Sequence, residues 1–141
     1  MSLTVRKYKP DDAPELRRIF LESRRKAFFW ADPEGFKLSD FDVVTRGEVV
    51  FVAVQEGVPV GFIAWWPPED FIHSLFIDPA CTGMGAGKML VNACLSELGR
   101  PATLKCLQAN TPALEFYKAQ GWEIGAAGKS DEGDYFVLTF S

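Results

Sequence analysis

The spacing of apolar and polar residues changes period several times along the chain, and each change marks an element. "LTVRKY" (3–8) alternates apolar and polar residues and predicts a first strand. A helix follows in "PDDAPELRRIFLESRRKAF", where Asp12 can serve as N-cap with Glu15 three residues on. Leu16, Ile19, Phe20, Ser23 and Ala27 share one stripe of it, apolar except for Ser23. Arg17, Arg18, Arg24, Arg25 and Lys26 mostly occupy the rest, which reads as a solvated face. "FFWADPEGFKLSDFDVV" has no clear period; Asp32-Pro33 and Glu34-Gly35 signal turns, and a short helix is expected around 37–46. "EVVFVAVQ" and "VPVGFIAWW" are β-rich runs joined at Glu56-Gly57, a hairpin that Pro67-Pro68 ends. "FIHSLFID" is a further strand, stopped at Asp78-Pro79. A glycine-rich stretch, "PACTGMGAGKML", then runs into a helix whose Leu90, Ala93, Cys94 and Leu98 form a stripe. "ATLKCLQ" reads as a strand, "TPALEFYKAQ" as a helix, and "WEIGAA" and "DYFVLTF" as closing strands.

This order predicts one domain, residues 1–141, built as a mixed sheet flanked by helices, α/β or α+β in character. The strand–glycines–helix–strand unit around residue 83 should be a right-handed parallel crossover. At 141 residues and 48% hydrophobic content the chain can bury a proper core, and most of its twelve Phe and four Trp should lie there. A net charge of −4 argues against nucleic acid as a main partner. It leaves room for a cationic substrate and for a local basic site facing an anionic cofactor. Cys81, Cys94 and Cys106 form neither a disulfide framework nor a metal-ligand pattern and suit a reducing compartment. "MSLTVRKY" contains no apolar leader, and no run reaches membrane length, so a cytoplasmic protein with no membrane partner is expected.

The glycine stretch carries the first candidate chemistry. Glycines between a strand and a helix expose several backbone N–H groups at the positive end of the helix dipole, which suits a phosphate. Lys88 adds a cation. The plain alternative is a tight connection with no ligand. Gly83, Gly85 and Gly87 give GxGxG, so the third glycine comes one position early for a dinucleotide fingerprint. A P-loop fails too, because its spacing is one residue short and Met89 follows Lys88 where Ser or Thr belongs.

"LFIDPACTGMGAGKMLV" resembles the pyrophosphate-binding signature of the GNAT superfamily of N-acetyltransferases, Gln/Arg-x-x-Gly-x-Gly/Ala after a strand. Gly85 and Gly87 match its small positions, and Thr82 stands where Gln or Arg is usual. "NTPALEFYKAQGW" resembles the family's later segment through Asn110, Ala113, Phe116, Tyr117 and Gly121, with Trp122 in the final aromatic place. The resemblance spans nearly the whole chain and is weakest over 28–47.

The resemblance implies a mostly antiparallel sheet of about seven strands, with the parallel fourth and fifth splayed apart at an acetyl-CoA site. Backbone groups of Leu75, Phe76 and Ile77 would pair with the pantetheine arm. Donors from Thr82, Gly83, Met84, Gly85, Ala86, Gly87 and Lys88 would cradle the pyrophosphate, and Asn110, Ala113 and Phe116 would complete the cofactor side. The reaction implied is direct acetyl transfer to an amine of a small molecule or peptide. It needs a base for the protonated amine, an oxyanion donor such as a backbone N–H near Phe76, and an acid for the departing thiolate. Tyr117 matches the family's usual acid; its alternative is a core tyrosine. His73, the one histidine, is the candidate base, against a structural histidine in a strand. Asp70 and Glu69 could act instead through water or attract a cationic substrate. Phe28, Phe29, Trp30, Phe36, Trp65 and Trp66 are candidates for the acceptor wall, although core packing explains at least half of them equally well. A catalytically silent acyl-CoA-binding sensor on the same fold is the rival reading, an unliganded structural domain a third, and the exposed aromatics leave a homodimer contact open.

Overall fold

The computed structural model describes residues 2–27 and 35–141. Its strands are β1 (Leu3–Lys7), β2 (Val49–Gln55), β3 (Val58–Trp66), β4 (Phe71–Ile77), β5 (Ala102–Leu107), β6 (Glu123–Ser130) and β7 (Gly133–Phe140). Its helices are α1 (Ala13–Ala27), α2 (Asp40–Val44), α3 (Ala86–Leu95) and α4 (Thr111–Ala119). The strands form one seven-stranded sheet in the order β1-β2-β3-β4-β5-β7-β6. All neighbours are antiparallel except β4 and β5. The expected mixed architecture is therefore present, and the connection through the glycine stretch does join parallel strands.

The unbroken apolar runs of β2 and β3 follow from their position between two helical layers. Val50, Val52, Val54, Phe62 and Ala64 face α1 and α2, where they pack with Leu16, Ile19, Phe20 and Phe41. Phe51, Ala53, Ile63 and Trp65 face the other way, toward Leu90, Val91 and Cys94 of α3 and Leu114 and Tyr117 of α4. The aromatics concentrate on the first face, where the Phe62 ring meets Phe41 at 5.1 Å and Phe20 at 5.9 Å between centroids.

The arginines of α1 do more than face water. Arg17 pairs with Asp42 at 2.9 Å and Arg24 with Asp40 at 2.8 Å, strapping α1 to α2. Arg18 reaches Asp78 at 2.7 Å, just beyond the end of β4. Ser23, the polar interruption of the apolar stripe, is buried and donates its hydroxyl to the Ile77 carbonyl at 3.0 Å.

Asp12 departs from the expected capping box. It closes a 3-10 turn, Pro10–Asp12, ahead of α1; its buried carboxylate accepts both Arg6 guanidinium nitrogens and the Lys9 N–H. Hydrogen bonding from Arg6 outweighs burial and holds Asp12 below the usual carboxylate range.

The decisive feature is where strand pairing stops. β4 and β5 pair only at Phe71 with Thr103 and Ile72 with Leu104. Beyond that point β4 stays with β3 as far as Ile77, and β5 stays with β7 as far as Leu107. The two strands part, and one edge of β4 from His73 onward lacks a strand partner. In the β3–β4 register Ala64 faces Ser74 and Trp65 faces Ile72, so His73 is the extra residue of a bulge at this divergence.

Candidate active site

A cavity of about 410 Å³ lies in the gap between β4 and β5. Ile72 to Phe76 form one wall and Leu104 to Leu107 the other. Phe20 and Arg24 of α1, Asn110, Ala113 and Tyr117 at α4, and the β6–β7 hairpin close it. The glycine stretch follows directly from the C-terminal end of β4.

Gly83 and Gly85 have φ of +87° and +88°, a left-handed backbone that other residues adopt only with strain. A Cβ at either position would meet open space, so it is conformation and not crowding that selects glycine. Gly87 differs: a Cβ there would come within 3.4 Å of the Phe116 ring, so it permits close contact between α3 and Phe116. Met89 makes the first helical hydrogen bond of α3, to the Gly85 carbonyl at 3.1 Å. Among the described residues the amides of Gly83 to Lys88 have no protein acceptor. Thr82, Gly83, Met84, Gly85 and Lys88 are exposed, while Ala86 packs into the core. The loop is thus a concave set of free N–H donors at a helix N-terminus, suited to a diphosphate.

The second block owes its spacing to the two ends of α4. The Asn110 side chain caps the start by accepting from Ala113 N–H at 3.3 Å. At the other end Gly121 has φ +97°, Trp122 N–H bonds the Tyr117 carbonyl at 3.1 Å, and Gly121 N–H bonds that of Lys118. This glycine-terminated stop sets the Trp122 ring 5.8 Å from Tyr117. Tyr117 is only 8% exposed, yet it lines the cavity. Burial, helped by the neighbouring Cys106 and Cys94 thiols, pushes its pKa up, so the phenol keeps its proton at neutral pH.

His73 lines the cavity near its start and is 45% exposed at the side chain. Its Nδ1 lies 3.0 Å from Oε2 of Glu48, the residue just before β2. Glu48 is only 8% exposed, and burial raises its pKa against the pull of His73. Sequence reading missed Glu48, which looked like the polar start of a strand. Only the fold brings it across the end of β3 to the β4 bulge.

The sequence model of the Acetyltransferase (GNAT) family matches residues 13–122. The chain belongs to that family. Over 86 residues this GNAT chain is 37% identical to the peptidyl-lysine N-acetyltransferase YjaB of Salmonella typhimurium, covering 60% of the chain and 56% of that relative. It thus spans little more than half the length of that relative. It is 25% identical over 134 residues to the peptidyl-lysine N-acetyltransferase YiaC of Escherichia coli, covering 91% of the chain and 88% of that relative. The PaiA N-acetyltransferase of Thermoplasma acidophilum, solved in complex with coenzyme A, shares the fold at a TM-score of 0.80 and 17% identity, each chain covered completely at 100%.

The GNAT fold distributes the remaining candidates unevenly. Leu75 and Phe76 border the cavity from β4, whereas the Ile77 carbonyl is already taken by Ser23. Asp70 does not join them. Its carboxylate accepts from Gly99 N–H at 2.9 Å and its carbonyl from Thr103 N–H, so it latches the α3–β5 connection outside the cavity. Trp65 does not line an acceptor wall either: it is 3% exposed and packs edge-on against Phe51 in the core. Trp66 is exposed beside Gly47, and Phe36 lies under the Arg24 guanidinium. Phe28, Phe29 and Trp30 lie outside the described residues. Tyr135, which sequence reading assigned only to a strand, lines the cavity with Lys105 Nζ 4.9 Å from its ring centroid. Gly128 faces it across the β6–β7 pair, leaving the room its ring takes. Among the described residues no His/Cys/Asp/Glu group could hold a metal ion, and no helix is long and apolar enough to cross a membrane.

Proposed function

We propose that this chain transfers an acetyl group from acetyl-CoA directly to the side-chain amine of a lysine in a peptide or protein. The observation that carries the reading is the unpaired edge of β4, which borders the cavity, followed directly in the chain by Gly83–Lys88 amides that have no acceptor among the described residues. The residues fit the donor: the loop offers N–H groups for its diphosphate, and Leu75 and Phe76 offer a strand edge for its extended amide-bearing arm. Asn110 and Ala113, which line the cavity, would border that arm, while Phe116 packs α4 close to Gly87. Acetyl-CoA supplies the activated thioester. The lysine acceptor is taken from the relatives' activity, and the charge of −4 favours a basic peptide partner.

The chain's own residues divide the proton work. His73, at the bulge on the cavity wall, takes a proton from the incoming ammonium. Tyr117, protonated and buried, donates a hydrogen bond to the departing sulfur. Three free thiols, Cys81, Cys94 and Cys106, suit a reducing, cytoplasmic setting.

Calorimetry with acetyl-CoA, followed by mass spectrometry of lysine-bearing peptides, tests the reading. Saturating acetyl-CoA, at about 100 times its Kd, should stabilise the fold by roughly 2.7 kcal/mol. Tyr117→Phe should lower kcat at least tenfold while KM for acetyl-CoA changes less than twofold. Binding without transfer to any amine would make the chain an acyl-CoA-binding module; no binding at all would refute the reading.

A further inference from the structure

We infer that Glu48 is the positioning residue for His73, holding the imidazole in the tautomer whose Nε2 is free to accept the acceptor's proton. The inference rests on the acetyltransferase reading above, in which His73 is the base.

The two other buried carboxylates show what a structural acid looks like in this fold. Asp12 accepts two bonds from Arg6 and one from the Lys9 amide. Asp78 accepts from Arg18 and from the Ala80 amide, and these outweigh burial to hold it below the usual range. The Glu48 side chain is 8% exposed, between those of Asp12 at 5% and Asp78 at 12%, yet its Oε1 has no hydrogen-bond partner among the described residues. Among the described residues its Oε2 meets His73, at 3.0 Å. Leaving a carboxylate oxygen dry and unpaired works against stability. Asp12 and Asp78, which tie elements of the fold together, have both carboxylate oxygens engaged, and Glu48 does not.

The geometry accounts for the cost. An ionised carboxylate only accepts, so the Nδ1 facing it must carry the ring proton. Nε2 then keeps its lone pair. The β4 bulge at His73 sets this ring on the cavity wall at the point where β5 leaves β4. During deprotonation the N–H bond of the acceptor ammonium breaks and an Nε2–H bond forms. The imidazolium charge that results faces the Glu48 carboxylate, as in the carboxylate–histidine pairs of other general-base sites. The other charged groups on the cavity wall are Arg24 of α1, Lys105 of β5, and Lys129 and Glu132 of the hairpin. Arg24 is committed to Asp40, and Lys105 lies over Tyr135. Glu48 Oε2 lies in hydrogen-bond contact with the ring.

The single histidine makes the test direct, because imidazole 15N signals from the labelled whole chain report His73 alone. The neutral ring should show the Nδ1–H tautomer in the unaltered protein and revert toward Nε2–H in Glu48→Ala. An Nε2–H ring in the unaltered protein would overturn the inference whether or not any substrate is known. On a lysine peptide that the enzyme acetylates, Glu48→Gln should lower kcat about 10- to 100-fold with KM for acetyl-CoA within twofold. Its melting temperature should rise by about 2 °C, because a dry charge is removed; a merely structural partner of His73 would give the opposite sign. The double variant with His73→Ala should be no slower than His73→Ala alone. Unchanged kcat in Glu48→Gln beside a slow His73→Ala would sink the role of Glu48 and leave the base in place. Unchanged kcat in His73→Ala would remove the base itself, and this inference with it.

Discussion

The carboxylates on the α1 side of the sheet and the polar groups of the glycine loop and the β4 bulge are treated in opposite ways. On the α1 side, Asp12, Asp42, Asp40 and Asp78 each meet a guanidinium, and the Phe20, Phe41 and Phe62 rings pack edge to face. On the α3–α4 side, the Gly83–Lys88 amides have no protein acceptor among the described residues. At the bulge where β4 leaves β5, Glu48 keeps one buried oxygen without a hydrogen-bond partner among the described residues. Saturated polar groups mark where this fold holds itself together. Among the described side chains the unsatisfied buried atoms are Glu48 Oε1 beside His73, Arg24 Nε on the cavity wall and, in the core away from the gap, Trp122 Nε1.

The contrast can be broken from either side. Phe62→Ala should have the largest effect, since the ring is fully buried among Phe20, Phe41 and Phe76. It should cost about 3–5 kcal/mol in urea denaturation. Asp12→Ala comes next at about 2–3 kcal/mol, because it leaves the Lys9 amide and the Arg6 guanidinium without their acceptor. The pH dependence has a definite sign. Asp12 and Asp78 bind protons less readily folded than unfolded, so their contribution is present above the ordinary value of 3.8 and is lost as pH falls through their depressed folded values. Asp12→Ala should therefore flatten the acid limb of stability against pH. Its curve and that of the unaltered protein should converge at low pH.

Gly85→Ala tests the other face. The left-handed backbone at this position should cost about 1–2 kcal/mol of stability. Relaxation of the loop should also weaken acetyl-CoA binding at least tenfold by calorimetry. Equal loss of affinity from Ala at Gly57, an exposed hairpin turn of similar φ, would erase the difference between the two glycines. Asp70→Asn should do least. An amide oxygen can still accept from Gly99, so stability should change by less than about 0.5 kcal/mol. Its kcat on an acetylated peptide should be unchanged, because the side chain lies outside the cavity.

Much of the fold was legible because local signals agree with it. The β2–β3 hairpin, the helical stripe of Leu16, Ile19 and Phe20, and the strand–glycine–helix unit each announce themselves within a few residues. The site was legible only in part. The glycine loop and the Asn110–Trp122 block carry their reasons locally, as turn conformation and helix caps, and so appear as motifs. Asp70 and Trp65 looked functional by residue type, but a loop amide and a core aromatic claimed them. Glu48 had no signal, because its partner is 25 residues away on another strand.

What the chain determined by itself is therefore whatever depends on near neighbours: the strands and helices, the left-handed turns at Gly83 and Gly85, and the caps of α4. Tertiary structure alone decided where β4 and β5 part, which carboxylates are saturated, and that Glu48 faces His73. Local order follows from backbone sterics and hydrogen bonds within a few residues. Burial and pairing across strands depend on which surfaces the whole sheet brings together, and no short stretch of sequence contains that.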